Sequence, residues 1–181
     1  MKGLVFSEFL EFVEEKYSPE VVDDIIEVSD LPSGGIYTSV GTYNYHELLY
    51  LVSALSEMSG VEACDLVRAF GKHLFKRLAA SYPHFIEGVD NTFKFLRSVD
   101  EYIHVEVRKL YPDAELPEFE FFTSRPDQLI VTYRSRRALG DLAHGMMEGA
   151  CEYFGENISI EQEQEFRSYG TAVTFFLTLK E

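Results

Sequence analysis

With 181 residues, 46% of them hydrophobic and 14% aromatic, the chain is long enough for one domain with a sizeable core and too apolar to be disordered. Its 31 acidic against 16 basic residues give a formal net charge of −15, which argues against nucleic acid or an anionic membrane surface as the main partner, since both repel it. No run approaches the ~18 apolar residues that a membrane span needs. Met1–Val13 carries acidic residues inside its apolar run, unlike a secretory leader. Cys64 and Cys151 lie far apart with no C-x-x-C spacing, so the expectation is a cytoplasmic protein with buried, reduced thiols.

Gly3 to Tyr17 reads as a helix with Val5, Phe6, Phe9, Leu10 and Val13 on one broad face. Ser18-Pro19 supplies an N-cap and a first helical position for a short second helix carrying Val21, Val22, Ile25 and Ile26. Leu31–Gly35 is a loop. Asn44-x-x-Glu47 has the spacing of a capping box and opens a third helix to about Met58, which Ser59-Gly60 ends. A fourth runs from about Glu62 to Ala80, with Leu66, Val67, Phe70, Leu74, Phe75 and Leu78 apolar, until Tyr82-Pro83 breaks it. Asp90 or Asn91 caps the fifth, which carries Phe93, Leu96, Ile103, Val107 and Leu110 at helical spacing as far as Tyr111-Pro112. His104 sits at the border of that stripe.

After Pro112 the period changes. Phe119–Phe122 is a short strand and Ser124–Asp127 a turn. Leu129, Val131 and Tyr133 then alternate with Ile130, Thr132 and Arg134 as a second strand. A helix from about Arg137 to Phe154 carries Leu139, Leu142, Ala143, Met146, Met147 and Ala150, and Ile158–Ile160 and Ala172–Leu179 are two more strands. The order predicts an α+β fold, an N-terminal helical part followed by a small antiparallel sheet of about four strands with one embedded helix. There is no internal repeat, low-complexity segment or linker.

The stretch from Asp100 to Arg137 carries the chemistry. His104 offers a neutral imidazole, which binds transition metals and heme iron. Tyr133-x-Ser135-x-Arg137 offers two hydroxyls and a guanidinium, a set suited to a carboxylate. If the strand continues to Arg137, the i, i+2, i+4 spacing puts all three on one face, with Arg134 and Arg136 on the other. Charged hydrogen bonds of this kind contribute about 1.5–3 kcal/mol each. Taken singly, each residue has an ordinary reading: a satisfied helical His, a Tyr in a sheet core, an Arg in a surface pair, a turn proline at Pro117. Taken together, a metal ligand near a carboxylate clamp describes a site for a molecule with both a metal and carboxylates, and heme is such a molecule. Competing motifs fail. His46-Glu47 lacks a second His at metalloprotease spacing, Ser33-Gly34-Gly35 lacks the Lys-Ser/Thr of a phosphate loop, and no Gly-x-Ser-x-Gly marks a nucleophile, so no enzymatic activity is expected.

At these residues the chain resembles the heme–nitric oxide/oxygen binding (H-NOX) sensor domains, related to the heme domain of soluble guanylate cyclase. The resemblance runs from Met1-Lys-Gly3 through Asp100-x-x-x-His104, Pro117 and Tyr133-x-Ser135-x-Arg137 to Gly145 and Glu148-Gly149. It implies heme b (iron protoporphyrin IX) between a helical part, about residues 1–60, and an α/β part, about 61–181. His104 is then the axial iron ligand, Tyr133, Ser135 and Arg137 hold the propionates, and Pro117 packs against the porphyrin and helps distort it. The distal wall falls to the first helix, the fourth and the Arg137–Phe154 helix, with Val5, Phe9, Leu74, Leu78, Leu142 and Met146 as lining. Family members that hold oxygen stably carry a distal Tyr at the position matching Leu142. An apolar wall here implies a ferrous heme that binds NO and CO and forms no stable oxygen complex.

NO weakens the bond trans to it, so it is expected to release His104 and let the two parts rotate. The chain ends at Glu181, soon after the last strand, so the expected output is a separate protein; stand-alone relatives act on a sensor histidine kinase or a diguanylate cyclase. The acidic surface suits a partner with basic patches. Two other readings stay open. One is an α+β binding module for another carboxylate-bearing apolar ligand such as a lipid or bilin, with Arg137 on the carboxylate and no metal at His104. The other is a ligand-free interaction adaptor. A red protein with a Soret band that moves on adding NO separates the first reading from both.

Overall fold

A computed structural model describes residues 1–167 and 170–180, the side chains of 165–171 excepted. Helix α1 (Gly3–Lys16) buries Phe6, Phe9, Phe12 and Val13. Helix α2 (Pro19–Val28) starts as its sequence predicts, with the Ser18 hydroxyl accepting from the Val21 N–H and Pro19 in the first turn. Helix α3 (His46–Ser59) closes on Gly60 at φ +71°, a left-handed position suited to glycine, and α4 (Ala63–Ser81) follows. Arg77 of α4 ties back to Glu8 and Glu11 of α1 at 2.8 and 2.7 Å.

The start of α3 differs from the expected capping box. The Asn44 side chain accepts from the N–H of His46 at 3.1 Å, not from Glu47. Glu47 is 4% exposed, and its carboxylate turns inward to the hydroxyls of Tyr37, at 3.0 Å, and Ser33. A buried carboxylate needs donors, and the loop before α3 supplies them.

The single helix expected after Asn91 is broken in two. Asn91 caps α5 (Thr92–Ser98), accepting from the Lys94 N–H at 2.9 Å. Residues Val99–Ile103 then form a π-helical turn, in which the His104 N–H reaches the Val99 carbonyl, and α6 (His104–Leu110) resumes. The extra residue advances the helical phase by about 100°. Val107 stays on the inner side, whereas Leu110, expected on the apolar stripe, is 68% exposed.

Strands β1 (Glu118–Arg125) and β2 (Gln128–Ser135) join through a tight turn at Pro126-Asp127, shorter than predicted. Helix α7 (Gly140–Phe154) starts three residues later than expected, and β3 (Ile158–Arg167) and β4 (Gly170–Leu179) complete an antiparallel sheet in the order β1-β2-β4-β3. Strand β3 is an edge strand and extends well past its apolar start, with Glu161 and Glu163 exposed. Cys151 is buried as expected, but Cys64, in the first turn of α4, is exposed; both are free.

Two apolar clusters form the interior. One gathers Phe6, Phe9, Leu51, Leu55 and Phe70 from α1, α3 and α4 and extends along α4 to Leu74. The other packs the inner face of the sheet, with Val131, Val173 and Phe175, against Phe75, Phe95 and Met147. Helix α4 therefore belongs to both, and Met146 of α7 touches both. Helices α4 and α7 cross almost backbone to backbone. A Cβ at Gly71 would lie 2.4 Å from the Leu142 carbonyl oxygen, and one at Gly145 would lie 1.9 Å from that of Arg68. Among the described residues no helix is long and apolar enough to cross a membrane.

Candidate ligand cavity around His104

The two clusters share an apolar cavity of about 530 Å³, within the usual size of small-molecule sites. The π-turn and α6 bring His104 to its wall. The His104 side chain is 12% exposed, its ring 5.7 Å from that of Phe119. Its buried Nδ1 lies 3.5 Å from Oδ1 of Asp100, one turn earlier, and has no closer hydrogen-bond partner. Burial holds the imidazole below its usual pKa; Asp100 opposes that shift and Arg108 adds to it. The result is a neutral imidazole in an apolar wall with a carboxylate behind it, the arrangement that orients a metal-ligating histidine. Among the described residues no group of three or more His, Cys, Asp or Glu is placed to hold a metal ion. A metal taken by His104 must therefore bring its other ligands with it, as the iron of a porphyrin does, and the residues present fit that group.

Tyr133, Ser135 and Arg137 all line the same cavity, though not as one strand face. Strand β2 stops at Ser135, and a bend at residues 136–137 returns Arg137 to the cavity. The Ser135 hydroxyl accepts from the Arg137 N–H at 3.1 Å. The Arg137 guanidinium donates to the Glu115 carboxylate at 2.9 Å and to its carbonyl at 3.3 Å, and lies 5.8 Å from the Tyr45 ring centre. Burial pushes the Tyr133 phenol up, opposed by the Ser135 hydroxyl and the Arg137 charge. Arg134 pairs with Glu120 on the other face of the sheet, and Arg136 is exposed.

Pro117 also lines the cavity, as do Val5, Leu74, Leu78, Leu142 and Met146. Phe9 does not. It is fully buried, edge-on to Phe70 at 5.1 Å, because only the first turn of α1, with Leu4 and Val5, reaches the cavity. Sequence reasoning missed Phe75, Phe95, Leu96 and Val99 as wall residues, since an apolar stripe looks the same whether it faces a core or a cavity. It also missed the rim. Lys2 pairs with Asp113 at 2.8 Å across 111 positions, and nothing local in the sequence announces that contact.

The model of the family described as haem-NO-binding matches residues 2–162. The crystal structure of the Fe(II) unliganded H-NOX protein from K. algicida is 39% identical, with a TM-score of 0.92, covering 100% of this chain and 97% of that one. The IWP-051-bound H-NOX from Shewanella woodyi in its Fe(II)CO ligation state is 40% identical, with a TM-score of 0.83, covering 98% and 94%. Soluble guanylate cyclase 89Db of Drosophila melanogaster is 25% identical over 185 residues that include 98% of this chain; the chain spans only 27% of that protein's length. A family match over most of its length, close structural relatives and a cavity that fits a porphyrin converge: the chain belongs to the H-NOX family of heme-binding gas-sensor domains.

Proposed function

We propose that this chain is a nitric oxide sensor built on heme b, held between the helical part (about residues 1–60) and the α/β part (about 61–181). The observation that carries the reading is one apolar cavity walled by both a neutral buried imidazole and a Tyr/Ser/Arg trio. When bound, the heme supplies an iron that takes a diatomic gas. His104 anchors that iron, with Asp100 behind its Nδ1. Tyr133, Ser135 and Arg137 hold the propionates, and Pro117 packs on the porphyrin. Val5, Leu74, Leu78, Leu142 and Met146 keep the gas side apolar and offer no hydroxyl to a partly anionic bound oxygen, which favours NO and CO. Release of His104 on NO binding would free α6 from its tether and let the two parts turn on each other. Moving such an equilibrium from 1:99 to 99:1 takes about 5.5 kcal/mol of differential binding. The output is conformational rather than catalytic. It acts in the cytoplasm on a separate sensor histidine kinase or diguanylate cyclase.

The test is His104→Gly. The reduced wild-type protein is expected to be red, with an imidazole-ligated ferrous spectrum that the variant loses and added imidazole restores. The same spectrum in the variant would make the ligand assignment wrong. In air the reduced wild type should give no lasting oxygenated spectrum; a stable one refutes the gas preference.

A further inference from the structure

Residues 111–117, between α6 and β1, form a strap along the cavity and carry two carboxylates two positions apart. Lys2 Nζ donates to both oxygens of Asp113, at 2.8 and 2.9 Å, and the Thr42 hydroxyl donates to the same carboxylate at 2.8 Å. Glu115 is held from the other side, since Arg137 grips its carboxylate at 2.9 Å and its backbone carbonyl at 3.3 Å. The Arg137 side chain is 16% exposed and that of Glu115 68%. A guanidinium facing the cavity thus engages a solvated carboxylate of its own chain, whereas Asp113 is held by two other residues.

We propose that Glu115 is an internal competitor for Arg137, a carboxylate that any acid entering the cavity must displace. This rests on the reading that Arg137 takes a propionate of the porphyrin. An exposed ion pair is weak, so an acid that also engages the Tyr133 and Ser135 hydroxyls wins the exchange. An acid that meets Arg137 alone does not. Glu115 therefore sets which carboxylates the cavity accepts, and its displacement frees that end of the strap from the bend after β2 while Lys2 still holds Asp113.

The experiment titrates the full-length protein with iron-free protoporphyrin IX and with its dimethyl ester, following porphyrin fluorescence, so that no iron–histidine bond hides the difference. Glu115→Gln should bind the free acid about two- to five-fold more tightly than wild type, the scale of one exposed ion pair, and the ester equally well. Asp113→Asn removes the same charge from the same rim and should change acid binding less than about two-fold. Equal gains in the two variants would reduce the effect to general charge and overturn the inference. So would Glu115→Gln matching wild type while Arg137→Gln weakens the acid but not the ester; in that case the propionate reading survives. If Arg137→Gln binds the acid as tightly as wild type, or no variant binds porphyrin, that reading fails and takes the inference with it.

Discussion

Cys64 and Cys151 are the same residue in opposite settings, and they give a direct check on the packing. Burial pushes the Cys151 thiol up to about 11, opposed by the Thr92 hydroxyl beside it, while Cys64 stands in solvent. A thiol reagent at pH 8 should modify one cysteine rapidly and the second only on unfolding. The pH dependence follows. The unfolded thiol ionises near its ordinary 9.0 and the folded one only near 11, so the Cys151 contribution to stability is complete below about pH 9 and is lost as pH rises towards 11. Between pH 8 and 10.5 the urea-unfolding free energy of wild type should fall about 2 kcal/mol further than that of Cys151→Ala. Equal falls would place this thiol in contact with water. At this scale the sequence was informative wherever chemistry is rare. His104, Tyr133, Ser135 and Arg137, singled out by residue type and spacing, all line one cavity. Phe9 misled because burial in a core and exposure to a cavity select the same side chain.

Among the elements, α2 was legible because its Ser18 cap, Pro19 and apolar period agree, and α1, α4 and β2 because the apolar period marks most of their length. The π-turn was not. Leu96 and Ile103 are seven positions apart, which an unbroken α-helix also satisfies, so the apolar pattern carries no trace of the inserted residue. The turn nevertheless decides where His104 points. Deleting Glu101, exposed within it, removes the inserted residue, so a regular helix should form with His104 still facing the cavity. The expected result is a folded protein that keeps the imidazole-ligated spectrum; loss of that spectrum would show that a one-residue insertion is not what aims His104. The bend that carries Arg137 was equally hidden, since period-two alternation runs on past Ser135 where the ladder stops. The α4–α7 crossing makes a sharper demand. Gly145→Ala puts a methyl against a backbone oxygen that cannot move aside, and should cost about 3 kcal/mol in urea unfolding. Gly60→Ala, strained only by its positive φ with open space around it, should cost about 1 kcal/mol.

For the whole molecule, the two clusters share α4, so a rotation of one part on the other must pivot along that helix rather than at a linker. The net charge of −15 is spread over a small surface, but its placement matters more than its sum. Strand β3 ends the sheet with a row of backbone groups that another chain could use as a template, and Glu161 and Glu163 flank that row. Charge placed along an open edge disfavours pairing with a second copy. Neutralising both with Glu161→Gln and Glu163→Gln should raise light scattering at pH 7 on prolonged incubation, while Glu14→Gln with Glu27→Gln, which lowers the charge equally from helices α1 and α2, should not. The alternating Glu and Gln residues that hid the length of β3 from a hydrophobicity-based reading thus put charge along the edge where a fibril would have to grow.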